Sequence, residues 1–184
     1  MNLAELKSRL PEYAKDLRLN LESVLSEGGA PGLNQKQIAI VALASAIAAR
    51  NQDLTQALTA FASQHLDAVE LDGARAAAAV MAMNNIYYRF THLVGDPEYA
   101  TLRANLRMSI MAKPGIGKND FELASLAVSA INGCGTCMSS HEKVVREHGI
   151  GIQAVQSVVR IAAVIHAVAV TLEQTAAASE ALAA

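Results

Sequence analysis

Tryptophan is absent from this chain of 184 residues, and aromatic side chains make up only 4% of it. The sequence also lacks runs that alternate Val, Ile, Thr and Tyr between turn dipeptides, which are typical of β-strands. Apolar residues nevertheless make up 52% of the chain and alanine is abundant. Alanine and leucine are strong helix formers. The composition therefore predicts an all-α fold, a compact multi-helix domain with its own hydrophobic core.

An excess of charge is missing as well. The formal net charge is −2, so no basic face is expected for nucleic acid. The first residues, Met1–Lys7, lack the basic and apolar segments of a secretory signal. Arg50, Arg75 and Arg160 interrupt the longest apolar stretches, so we expect no membrane span. These absences predict a cytoplasmic protein that binds neither nucleic acid nor a membrane.

Cysteine occurs only at Cys134 and Cys137, which form a C-x-x-C pair. In a cytoplasmic protein such a pair is typically catalytic or metal-binding. Asn132 and Gly133 break the preceding helix, which places both cysteines in the first turn of the next one, where free N–H groups favour a thiolate. His141 follows Cys137 by four residues, so it shares a helical face with that cysteine and can accept its proton. The spacing predicts a dithiol–disulfide redox site.

Zinc is the main alternative for the same residues. Cys134, Cys137, His141 and His148 are the side-chain types of a Cys2His2 site. One continuous helix cannot wrap four ligands around a tetrahedral ion, and the sequence has no second C-x-x-C. We therefore expect no metal, and a non-redox helical protein with a zinc clip stays as an alternative.

Three further polar residues need an interpretation. Glu122 lies one turn into the helix before the cysteines, where its simplest role is a first-turn charge that complements the helix dipole. If that helix packs antiparallel to the cysteine helix, Glu122 lies beside the thiols and can pass protons. Asn84 and Asn85 interrupt an apolar helix, and we interpret them as hydrogen-bonding within the helix or at a subunit interface.

Proline, glycine and capping residues divide the chain into helices. The predicted helices cover residues 2–10, 11–28, 34–50, 53–65, 71–91, 102–111, 120–132, 136–147 and 152–174. One domain, 1–184, is predicted, with an N-terminal helical half at 1–112, a second unit with the cysteines at 113–174, and a frayed tail at 175–184. No glycine-rich nucleotide fingerprint is present, so the reducing equivalents must come from another molecule.

Two parts of the sequence are similar to each other. Pro31-Gly32-Leu33 precedes a helix that contains Ser45-Ala46-Ile47, and Pro114-Gly115-Ile116 precedes a helix that contains Ser129-Ala130-Ile131. This similarity predicts two related helical units, of which only the second carries cysteines.

Several longer motifs together resemble one family, the alkyl hydroperoxide reductase AhpD family. They are Leu10-Pro11-Glu12-Tyr13-Ala14-Lys15-Asp16, Met83-Asn84-Asn85, Leu106-Arg107-Met108, Phe121-Glu122-Leu123, and the block from Ser129 through Cys134 and Cys137 to His141-Glu142. The resemblance extends over nearly the whole chain, and its most specific part is the block from Glu122 to His141. The sequence resembles carboxymuconolactone decarboxylases more distantly, and those do not depend on a C-x-x-C pair.

The resemblance implies a homotrimer that reduces organic hydroperoxides with its thiols. It implies that Cys137 is oxidised to a sulfenic acid, and that Cys134 donates a proton and then closes the disulfide. Glu122 and His141 would form a proton relay. No cofactor is expected to stay bound, because a dihydrolipoyl group on a lipoyl carrier protein would reduce the disulfide, and a partner peroxiredoxin could receive the electrons.

One position departs from the family pattern. Some members have a histidine directly before the second cysteine, whereas this chain has Thr136. A water molecule or the threonine hydroxyl would have to replace that histidine in any proton transfer. A protein disulfide reductase that serves a peroxiredoxin, with little peroxidase activity of its own, is the alternative redox function.

Overall fold

The structure is a computed structural model that describes the backbone of residues 1–183 and the side chains of residues 1–177. Within the described backbone the regular structure is entirely helical, which confirms the all-α prediction. The α-helices are α1 (Leu3–Ser8), α2 (Lys15–Val24), α3 (Gln35–Ala49), α4 (Gln52–Ala62), α5 (Ala68–Leu93), α6 (Glu98–Thr101), α7 (Lys118–Ile131), α8 (Gly135–Glu147) and α9 (Ile152–Ala183). Two 3-10 turns cover Glu12–Ala14 and Ser109–Ala112.

Side-chain caps set several of these helix starts. Asn2, Asn34 and Asp67 each accept a hydrogen bond from the backbone three residues later, and the side chain at that position bonds back to the cap. Such reciprocal caps satisfy N–H groups that the first helical turn leaves free. The sequence predicts the first two caps, whereas Asp67 caps α5, which begins at Ala68, three residues before the predicted Leu71.

The core is built around α3 and α7. Every residue from Ile38 to Ala46 in α3 is buried, because α3 packs against α4, α5, α7 and α9 on its different sides. Helix α7 packs in turn against α5, α8 and α9. The two central helices therefore fix the position of α8, which carries the C-x-x-C pair.

Within Ile152–Ala177, helix α9 contains an 18-residue stretch with a mean hydropathy of 1.8, so this helix is long and apolar enough to cross a membrane by length and composition. The expectation that Arg160 excludes such a stretch is therefore wrong. Half of this stretch is buried inside the protein, where Val158, Ile161 and Ile165 are fully buried. Packing against α2, α3 and α7 accounts for its apolar character. The helix continues past 175, where the sequence predicts fraying, and Ala184 lies outside the described residues.

The predicted helix from Leu102 to Met111 is wrong. Helix α6 ends at Thr101, and regular structure resumes only with the 3-10 turn that starts at Ser109. Asn105 has φ +53, a left-handed conformation that a right-handed helix cannot include. The predicted helix at 11–28 is also shorter, because a 3-10 turn follows Pro11 and α2 ends at Val24.

The two similar sequence segments occupy related places in the fold. Gly32 and Gly115 both have positive φ, 86° and 80°, and the helices that follow start 83 residues apart, at Gln35 and Lys118. The same spacing separates Gln37 from Asp120, and the Gln37 side chain donates a hydrogen bond of 3.0 Å to Asp120. The match of two Ser-Ala-Ile triplets implies a spacing of 84, so it is one residue out of this register.

Candidate redox site

Cys134 and Cys137 are joined by a disulfide. Cys134 is the N-cap of α8, with extended backbone, and Cys137 is the third residue of the helix. Gly133 has φ +67, a conformation that glycine adopts without a steric penalty, and it lets the chain turn directly from α7 into α8. The local sequence therefore places one sulfur at the helix N-terminus and the other one turn inside it.

The two cysteines differ in their access to solvent. Cys134 is 0% exposed and Cys137 is 6% exposed. Only Cys137 lines a cavity of about 350 Å³ that opens beside α8. A small molecule in this cavity therefore meets Cys137 first.

His141 and Glu122 form a buried pair next to the disulfide. His141 Nδ1 lies 2.7 Å from Glu122 Oε2, and their side chains are 10% and 13% exposed. A carboxylate at this distance accepts a hydrogen bond from Nδ1–H, which leaves Nε2 as the nitrogen that can take up a proton. Packing of α7 against α8 brings Glu122 to His141, so its role is more than a first-turn charge.

The second ring nitrogen of His141 faces the cavity side. His141 Nε2 lies 3.3 Å from the sulfur of Met81, on α5. A thioether is only a weak hydrogen-bond acceptor. The contact therefore orients the imidazole ring but leaves Nε2 able to take up a proton. The cavity is lined by residues of α5, the 3-10 turn after α6, and α8: Met81, Asn84, Tyr88, Met108, Met111, Thr136, Cys137, Ser140 and His141.

Comparison with known proteins identifies the family. A sequence profile of the "Carboxymuconolactone decarboxylase family" matches residues 97–180. The chain is 52% identical over 179 residues to "Alkyl hydroperoxide reductase AhpD" of Rhodospirillum centenum, which covers 97% of this chain and 95% of that protein. Proteins of the same name from Gluconacetobacter diazotrophicus and Streptomyces griseus are 53% and 50% identical, over 96% and 98% of this chain and 96% and 100% of their own lengths.

This chain belongs to the AhpD family.

In this AhpD-family chain, Thr136 is half-buried and lines the same cavity as Cys137. Its hydroxyl can donate and accept a hydrogen bond. The residue that precedes Cys137 therefore places a small polar group on the cavity wall.

Glu122 also lines a second cavity, of about 630 Å³. The walls of that cavity include Lys36, Lys113 and Lys118, and the last two are exposed. His141 lines the first cavity and Glu122 the second, so the hydrogen bond between them connects the two.

Asn85 anchors the turn that carries Cys134. It is 0% exposed and donates a hydrogen bond of 2.9 Å to Ser129, while Asn132 donates one of 3.0 Å to Asn85. Arg89 donates to the carbonyl of Asn132. Both alternatives of the sequence interpretation are wrong for Asn85, because its partners lie on α7 and the turn after it. The sequence shows that two polar residues interrupt an apolar helix. It does not identify the partners of Asn85, because these depend on how α5 crosses α7.

The four residues considered for zinc do not come together in the described part of the structure. Cys134 and Cys137 are bonded to each other, and the exposed His148 bonds through Nδ1 to the carbonyl of Val144. Among the described residues, no group of three or more His, Cys, Asp or Glu side chains is arranged to hold a metal ion.

Proposed function

We propose that this protein reduces organic hydroperoxides through the Cys134–Cys137 dithiol, with Cys137 as the sulfur that attacks the peroxide. The observation that carries the proposal is that Cys137, and not Cys134, faces a cavity that also contains His141. The relatives named alkyl hydroperoxide reductase support the same substrate class. The cavity walls include three methionines, and such a wall suits an organic group.

In the reduced protein, His141 takes up the proton of Cys137, and Glu122 orients the imidazole and stabilises its charge. The Cys137 thiolate attacks the distal oxygen of ROOH, so that an S–O bond forms and the O–O bond breaks. The alkoxide leaves as ROH with a proton from Cys134. The Cys134 thiolate then attacks the Cys137 sulfenic acid, which forms the disulfide and releases hydroxide. The hydroxide leaves as water with the proton that His141 took from Cys137.

We propose that a dihydrolipoyl group, carried by a lipoyl protein, reduces the disulfide through Cys137. One lipoyl thiol bonds to Cys137, and Cys134 leaves as a thiolate. Cys134 lies at the N-cap of α8, where free backbone N–H groups favour an anion and so a good leaving group. The second lipoyl thiol then displaces Cys137, which returns both cysteines to the thiol form.

The assembly and the partner are part of the same proposal. A homotrimer would cover exposed apolar side chains on α5 and the segment after it, among them Ile86, Phe90, Leu93 and Leu102. Patches of this kind often mark protein interfaces. Besides the hydroperoxide, we propose a peroxiredoxin as a second electron acceptor. A cytoplasmic location would supply the reducing partners that this cycle needs. Light scattering of the purified protein measures the subunit number.

The test is a steady-state assay of cumene hydroperoxide reduction with dihydrolipoamide as the electron donor. Turnover without any other protein supports the proposal. Turnover that appears only when a peroxiredoxin is added would instead show a disulfide reductase with little peroxidase activity. Absence of both, with zinc bound and no loss of free thiols on peroxide treatment, would show the non-redox alternative.

A further inference from the structure

Asn84 is a buried amide in the cavity of Cys137 with an unused acceptor. It is 5% exposed, lies on α5 and lines the cavity. Its Oδ1 has no hydrogen-bond partner among the described residues, and its Nδ2 makes only a long contact of 4.0 Å to the sulfur of Met111. Asn85, the next residue, has partners on both sides of its amide. The two adjacent asparagines therefore have different roles.

An unpaired buried acceptor destabilises a folded protein, because it loses its bonds to water without replacing them. The methionines that line the cavity, Met81, Met108 and Met111, do not satisfy this acceptor, because a thioether has no hydrogen to donate. The hydroxyl groups of Tyr88, Thr136 and Ser140 line the same cavity, but none of them bonds to Asn84 Oδ1. An unpaired acceptor in this position is suited to a ligand that carries a hydrogen-bond donor.

We propose that Asn84 Oδ1 accepts a hydrogen bond from the terminal O–H of a hydroperoxide bound in this cavity, and that this bond holds the distal oxygen beside Cys137. This inference rests on the proposed function. A hydroperoxide has a single donor, and that donor is on the oxygen that the thiolate attacks. The methionine side chains of the wall then contact the organic group, which has no polar atoms to place there.

The hydrogen bond is compatible with each step of the reaction. When the S–O bond forms and the O–O bond breaks, the hydrogen on the distal oxygen stays there and becomes the hydrogen of the Cys137 sulfenic acid. Asn84 can therefore hold the same O–H group before and after the transfer, while the proton from Cys134 goes to the alkoxide. Water leaves the cavity only when Cys134 closes the disulfide.

The experiment separates the two half-reactions. Reduced Asn84→Leu and Asn84→Ala proteins are mixed with cumene hydroperoxide or hydrogen peroxide, and their disulfide forms are mixed with dithiothreitol. We expect the rate constant with both peroxides to fall about tenfold in each variant, as the loss of one hydrogen bond predicts. Reduction by dithiothreitol should stay within about twofold of the unsubstituted protein, because that thiol needs no acceptor at Asn84.

Ser45→Ala is the matched control, because Ser45 is also fully buried with an unpartnered side-chain oxygen but lies in α3 away from the cavity. Removal of either orphan acceptor, by Ser45→Ala or Asn84→Leu, should leave Tm unchanged or raise it, and only the Asn84 variants should react slowly with peroxide. Equal slowing of both half-reactions, or a lower Tm with unchanged peroxide rates, would overturn the proposal. If the unsubstituted reduced protein does not react with either peroxide, the proposed function itself fails.

Discussion

The helix pairs α3–α4 and α7–α8, called the first and second units below, are joined by a similar backbone turn but carry different side chains on it. After α3, Arg50 adopts φ 63° and Asn51 caps α4, whereas after α7, Gly133 adopts φ 67° and Cys134 caps α8. Each pair lies 83 residues apart, like the starts of the helices. In the first unit, the Asn51 side chain accepts a hydrogen bond of 2.8 Å from the backbone N–H of Leu54. In the second unit, the Cys134 side chain makes no capping hydrogen bond, and its sulfur is bonded to Cys137 instead.

The same spacing relates the other site residues to plain core residues. Leu54 and Leu58 of α4 correspond to Cys137 and His141 of α8, and both leucines are fully buried. Ala39 of α3, also fully buried, corresponds to Glu122 of α7. The comparison indicates that in both units the second helix begins directly after the turn that ends the first. The second unit differs from the first in the four side chains to which we assign the proposed chemistry, not in its backbone.

The largest effect is expected from Cys137→Ser. Steady-state peroxide reduction should fall to background, because a serine hydroxyl neither forms a sulfenic acid nor closes a disulfide. The Cys134→Ser variant should also stop turning over, but its reduced form should still consume one equivalent of peroxide per subunit. A rapid-mixing assay with limiting cumene hydroperoxide measures both. Retained turnover in Cys137→Ser would contradict the assignment of the attacking sulfur.

A smaller loss is expected when the acid–base pair is neutralised. His141→Gln should slow the reaction of the reduced protein with peroxide by about 10²-fold and flatten its dependence on pH, because the proton acceptor of Cys137 is lost. Glu122→Gln should slow it by about tenfold, because the amide still contacts the imidazole but no longer stabilises its charge. His148→Gln is the control, since His148 is exposed on the same helix. A slow His148→Gln protein, or a fast His141→Gln protein, would contradict the relay.

The comparison can also be sharpened by moving the cysteines into the first unit. In a Cys134→Ala, Cys137→Ala background, Asn51→Cys and Leu54→Cys should form a disulfide, because N-cap and third helical residue have the same arrangement in both units. The protein should not reduce peroxide, because Leu58 and Ala39 provide no acid or base. Thiol counts before and after oxidation, beside the peroxidase assay, measure the two properties. Two thiols that stay free after oxidation would show that the two turns differ.

The smallest effect is expected at a surface ion pair, between Lys36 of α3 and Glu70 of α5. The hydrogen bond with Glu70 raises the pKa of Lys36 above its ordinary 10.5. Its contribution to the free energy of unfolding is therefore complete below pH 10.5 and disappears as the pH rises through the raised value. Lys36→Met should lower that free energy by only about 0.5 kcal/mol near neutral pH, since the pair is exposed. Denaturant unfolding at pH 8 and above pH 11 measures it, and a difference that grows at high pH would contradict the sign.

Much of this fold is predictable from local signals. Asn2 and Asn34 are recognisable caps, and the apolar stretch of α3 is long enough to be a core helix. The segment after α6 is not predictable in this way, because its path is determined by tertiary contacts. Its Met108 and Met111 line the cavity of Cys137, and Asn105 adopts a left-handed backbone that no local pattern demands.

In the candidate site, too, local sequence predicts some features and tertiary packing determines the others. The spacing of Cys134, Cys137 and His141 along one helix is sufficient to place them together. Contacts of His141 with Glu122 and Met81 require the packing of α8 against α7 and α5. The sequence predicts the neighbourhood of Glu122 only if α7 packs antiparallel to α8, or through the family resemblance, and it does not predict the contact with Met81. The different surroundings of Asn84 and Asn85 depend on which side of α5 faces the cavity, and that becomes visible only in the folded chain.

The most direct test of the account is chemical trapping of the oxidised sulfur. Reduced Cys134→Ser protein is treated with one equivalent of cumene hydroperoxide and then with dimedone, which labels sulfenic acids, and the labelled peptide is mapped by mass spectrometry. The account predicts one dimedone adduct per subunit, on Cys137, and none without peroxide. An unlabelled Cys137 that keeps its free thiol while the peroxide remains unconsumed would contradict it.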